Sequence, residues 1–84
     1  MEFFVADPLA ALAVLAKHAP PGSWHGQATK DTARVTFPVE SPGDAVALAY
    51  LMREAIREEQ PVSSARIRPG GQWFGGLWFT LPER

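Results

Sequence analysis

Apolar positions along this chain recur at steps of two in some stretches and at steps of three and four in others, and the changes of step mark its elements. Residues 2–6, EFFVA, are a short apolar run of β-formers and predict a first strand. Asp7-Pro8 then supplies a helix cap followed by proline at the first helical position, where its missing N–H costs nothing. The helix is expected to run to about Ala19 and to stop at Pro20-Pro21-Gly22. Leu9, Leu12, Ala13 and Ala16 recur at three- and four-residue steps, and Val14 and Leu15 widen the stripe, so the helix is apolar on more than one side.

Residues 23–39 read as a hairpin with its turn near Lys30-Asp31. In the second arm Ala33, Val35 and Phe37 point one way, and Thr32, Arg34 and Thr36 the other; Pro38 ends the ladder or puts it at a sheet edge. Ser41, Pro42 and Asp44 form a helix start of the capping-box type. The second helix is expected to reach about Gln60, before Pro61. Its buried stripe is Ala45, Leu48, Ala49, Met52, Ala55 and Ile56, while Arg53, Glu54, Arg57, Glu58 and Glu59 form a solvated face. Period two returns at 62–68, with Ala65 and Ile67 inward and Ser64, Arg66 and Arg68 outward. After Pro69-Gly70-Gly71 a last strand, QWFGGLWFTL, splits by parity. Trp73, Leu77, Phe79 and Leu81 belong to the core set, and Phe74 and Trp78 to the surface set, unless a bulge at Gly75-Gly76 swaps them.

The order β-α-β-β-α-β plus a further strand predicts one α+β domain over residues 1–84. The expected form is a ferredoxin-like two-layer sandwich, βαββαβ with an extra C-terminal strand and both helices on one face of an antiparallel sheet. Composition fits a single core: 84 residues, 46% apolar, leave no room for a second. The net charge of −1 gives no global basic field, and the absence of cysteine excludes disulfides and thiolate metal sites. The N-terminus lacks the pattern of a signal peptide, and the apolar run 9–16 is too short to span a bilayer. A cytoplasmic protein without a membrane segment is therefore expected.

The stretch ARVTFPVESPGDAVALAYL (33–51) resembles the third strand and second helix of RNA recognition motifs, through Val35-Thr36-Phe37 and then Ser41 to Ala45. The resemblance implies a ferredoxin-like topology and base stacking from the middle strands. The stacking positions on this strand fall on Thr32 and Arg34, neither aromatic, and on the first strand on Phe3 or Phe4.

Catalysis finds few residues to work with. His18 lies near a helix end, where the dipole favours it, and His25 lies between Trp24 and Gly26; neither has a carboxylate or second histidine at ligand spacing. No phosphate loop, hydrolase elbow or metal motif is present, so no enzyme activity, metal or cofactor is expected. Charge distribution is more informative. The outward strand positions, His25, Gln27, Thr29, Thr32, Arg34, Thr36, Ser64, Arg66 and Arg68, contain no acid, and Phe74 and Trp78 join them. Exposed aromatics beside arginine have the composition of binding hot spots. The expectation is a non-catalytic protein-interaction module, inhibitor-like, adaptor or regulatory. It would bind a protein partner, or itself as a homodimer, through Arg34, Arg66, Arg68, Phe74, Trp78 and His25. Single-stranded nucleic acid bound on the same face is the alternative. Arg66 and Arg68 are expected to be removable together with little loss of stability.

Overall fold

The structure is a computed structural model and describes residues 1–18, 22–37, 42–68 and 78–81. Its elements are strand β1 (Glu2–Val5), helix α1 (Pro8–His18), strands β2 (His25–Ala28) and β3 (Thr32–Thr36), helix α2 (Pro42–Arg57), and strands β4 (Val62–Ile67) and β5 (Phe79–Thr80). The strands form one antiparallel sheet in the order β2-β3-β1-β4-β5. Each helix joins two strands that have another strand between them: β3 separates β1 from β2, and β1 separates β3 from β4. Residues 72–77 of the expected last strand, including Trp73, Phe74, Leu77 and the Gly75-Gly76 step, lie outside the described residues, as do Ala19 and the expected cap Ser41.

Helix α1 begins as its sequence requires. The Asp7 carboxylate accepts the Ala10 N–H at 3.2 Å and the Asp7 carbonyl accepts that of Ala11 at 3.1 Å, satisfying donors that have no partner inside the helix. Gln60, just after α2, grips the same residue: its Oε1 accepts the Asp7 N–H at 3.0 Å and its Nε2 donates to the Asp7 carbonyl at 2.8 Å. Helix α2 closes with the Glu59 and Gln60 N–H groups both donating to the Ile56 carbonyl, and Pro61 prevents continuation.

Phe3, Val5, Ala33, Val35, Ala65 and Ile67 point to one side of the sheet and pack against Ala11 and Leu15 of α1 and Ala45, Ala49, Met52 and Ile56 of α2. Small side chains at the alanine positions permit close approach of helix and strand. Two expectations change here. The buried side of α1 is Pro8, Ala11, Val14 and Leu15, leaving Leu9 at 72% exposure, because residues 8–16 carry no polar side chain to mark the outer side and Lys17 and His18 come only in the last turn. Arg53 is not on the solvated face: it is 1% exposed, with Nη1 donating to the Leu81 carbonyl at 3.4 Å and its guanidinium 4.8 Å from the centre of the Tyr50 ring. Position 53 is four residues from Ala49 and three from Ile56, so it falls on the buried stripe.

At the β2 edge the Trp24 and Phe37 rings stack with centroids 6.1 Å apart. Gly26 makes room for them: a methyl there would sit 2.6 Å from Cζ3 of Trp24 and 2.9 Å from Cδ2 of Leu12. Gly22, with φ of 88°, occupies the left-handed conformation in the turn before Trp24.

Candidate functional site on the open face of the sheet

The side of the sheet turned away from the helices carries the alternate residues of each strand, and cross-strand register sets which of them meet. Glu2 on β1 lies opposite Arg34 on β3 and Arg66 on β4; Gln27 and Thr80 extend the row to either edge. Below it Phe4 lies between Thr32 and Ser64. Thr32 is buried because the β2–β3 turn folds against it, where its N–H donates to the Thr29 hydroxyl and the two hydroxyls hydrogen-bond each other.

The expectation that this face holds no acid is corrected. Glu2 sits at its centre, 2% exposed, and both its oxygens are engaged. Oε1 receives Arg34 Nε at 2.9 Å, while Oε2 receives Arg66 Nε and Nη2, each at 2.8 Å. A buried carboxylate is costly unless neighbouring donors replace its water, and these guanidiniums do so with charge-assisted bonds. Both arginine side chains remain about half exposed, at 54% for Arg34 and 43% for Arg66.

Aromatic rings hold the second guanidinium further. The Arg66 guanidinium carbon lies 5.2 Å from the Phe4 ring centre and 4.9 Å from that of Trp78, with Arg68 at 5.8 Å from Trp78. Trp78 is 39% exposed, whereas its neighbour Leu81 is buried and Phe79, opposite Ile67, is half-buried. Among the described residues of the last strand, the alternation therefore runs as the sequence predicts.

Beyond Glu2 the face opens into a depression of about 300 Å³, lined by Met1, Glu2, Arg34, Val35, Thr36, Arg66, Arg68 and Trp78. Thr36 at the end of β3 and Arg68 just after β4 extend past the start of β1 and flank the depression. The Met1 and Val35 backbones exchange hydrogen bonds of 2.9 Å at its floor. Burial holds the Met1 amine below its ordinary value of 8.0, with the Glu2 carboxylate pulling the other way.

Of the residues singled out in the sequence, Arg34, Arg66, Arg68 and Trp78 come together around this depression. His25 is exposed on β2 opposite Thr36 and does not line it, and Phe74 lies outside the described residues. Glu2 was missed, because the apolar run Phe3-Phe4-Val5 beside it hides the alternation that places it on this face, and Phe4 enters the sequence reading only as a candidate stacking ring. The arginines also differ in role: Arg66 is tied to Glu2 and packed against rings, so only Arg68 fits the picture of a removable surface cation. Among the described residues there is no group of three His, Cys, Asp or Glu placed to hold a metal ion, and no helix is long and apolar enough to cross a membrane.

Comparisons with protein-family models, with curated proteins and with solved structures return no match. The chemistry of the depression is therefore read from its own residues.

Proposed function

We propose that this chain is a small non-catalytic interaction module of the ferredoxin-like class, with an added strand, that binds a protein partner through the open face of its sheet. The interleaved strand order supports the class. One observation carries the binding reading: an exposed tryptophan and partly exposed arginines, fixed by a buried glutamate, surround one depression on a face that neither described helix covers. Trp and Arg held in place before binding lose little conformational freedom when a partner docks, which is how hot spots gain affinity.

Single-stranded nucleic acid is the second reading, supported by Arg68 beside Trp78. It ranks lower because Arg66 already stacks against both Phe4 and Trp78, and because the Glu2 carboxylate would lie beneath a phosphate backbone.

The test is a photo-crosslink from position 78, with Trp78→p-benzoylphenylalanine, in extract of the native host. A protein adduct, or a self-adduct, that disappears with Arg68→Glu but survives Leu51→Ala on the helical side supports the reading. Adducts to nucleic acid alone, or protein adducts indifferent to Arg68→Glu, would overturn it.

A further inference from the structure

We infer that the depression between Arg34 and Arg68 receives a carboxylate side chain from an acidic segment of the partner; this rests on the open-face binding reading above. The argument begins with what each arginine has left to give. Arg66 spends Nε and Nη2 on Glu2 and its flat faces on Phe4 and Trp78, so it serves as a strut. Arg34 meets Glu2 through Nε at 2.9 Å and its side chain is 54% exposed, so its guanidinium keeps donors to offer an incoming group. Arg68 is exposed, lies against the Trp78 ring, and pairs with no carboxylate among the described residues.

Charge favours an anion here even though the chain as a whole is at −1. Three guanidiniums face one carboxylate around the depression, and that carboxylate already has its oxygens filled. An incoming carboxylate would bond the Arg34 terminal nitrogens on one side and Arg68 on the other. It would need no rearrangement of Glu2, while the partner's neighbouring apolar atoms cover the Trp78 ring. Thr36, exposed on the wall, adds a hydroxyl donor. Size favours a side chain over a polyanionic strand. About 300 Å³ lies at the lower limit of ligand-sized pockets, room for one side-chain carboxylate.

The experiment uses the whole chain and three fluorescein-labelled probes of equal length, hexaglutamate, hexaglutamine and hexalysine, with a twelve-nucleotide oligothymidylate alongside. Fluorescence anisotropy should show saturable binding of hexaglutamate alone, weakening as salt rises. Arg68→Gln, which breaks no ion pair among the described residues, should reduce that affinity about tenfold or more. Arg34→Lys should reduce it by a smaller factor, since it keeps the charge and loses the fork. Glu58→Gln on the helical side should leave it within about twofold. Circular dichroism of each variant checks that it is folded. No hexaglutamate binding, or binding unaffected by Arg68→Gln, overturns the inference. If the position-78 crosslink to a protein nevertheless persists, the open-face reading survives that failure. Oligothymidylate binding that depends on Arg68, with no peptide binding, removes both.

Discussion

The two faces of this one sheet each bury a charge, and they treat it in opposite ways. On the helix-covered face the buried charge is Arg53, set among Ala49, Met52 and Ile56 and directed at a backbone carbonyl and a tyrosine ring. On the open face it is Glu2, held by two arginines whose far ends reach water. The covered face draws its stability from apolar area, and Arg53, the buried cation among the described residues, bonds the Leu81 carbonyl beyond β5. The open face has little apolar area to bury, so an ion cluster and stacked rings give it shape. A face built from fixed charges keeps its donors aimed outward without a partner present, whereas a face built from aliphatic contact is complete in itself.

The comparison predicts where the largest loss of stability lies. Phe3, fully buried under the helices, should cost about 3–5 kcal/mol when replaced by alanine, and thermal unfolding should shift down by well over about 10 °C. Its neighbour Glu2, pointing to the other face, should cost less. Glu2→Gln keeps the shape but leaves Arg34 and Arg66 facing a neutral group, and urea unfolding should show a loss of about 2 kcal/mol, moderated because both arginines can turn to water. A loss from Glu2→Gln equal to that from Phe3→Ala would mean that the ion cluster, not the apolar layer, is the main support of the fold.

These adjacent residues also show what the sequence made legible. Strict alternation in Thr32–Thr36 and Val62–Ile67 fixed which residues face the helices, because a period of two leaves only one choice once one apolar residue is placed. The parity of Trp78, Phe79 and Leu81 followed in the same way. In β1 three apolar residues in succession hid the alternation, and Glu2 went unassigned although it is the centre of the site. In α1, alanine and leucine on every side gave no polar face from which to orient the helix. Arg53 was misplaced by its residue type, since its spacing from Ala49 and Ile56 already put it inside. Pairing is the part that no local pattern carries: that Glu2 meets both Arg34 and Arg66 depends on β1 lying between β3 and β4.

A third prediction concerns the edge where the faces meet. Gly26→Ala places a methyl against Trp24 and Leu12, so the indole must move or β2 must shift. A loss of about 1–2 kcal/mol is expected, with a change in the environment of Trp24 visible in its fluorescence. An unchanged unfolding midpoint would show that the Trp24–Phe37 stack does not hold β2 in place.

The finest test uses the same substitution two residues apart. Arg66→Gln removes two nitrogen-to-oxygen contacts to Glu2 and the packing against Phe4 and Trp78, so it should cost about 1–2 kcal/mol in thermal or urea unfolding. Arg68→Gln removes only an exposed contact with Trp78 and should stay within about 0.5 kcal/mol of the parent. The order of effects on binding should reverse in one respect: Arg68→Gln should lose acidic-peptide affinity with its unfolding curve unchanged, whereas any loss with Arg66→Gln should come together with a loss of stability. Equal stability effects at the two positions would mean that Glu2 does not distinguish strut from contact, and the division of labour on the open face would have to be redrawn.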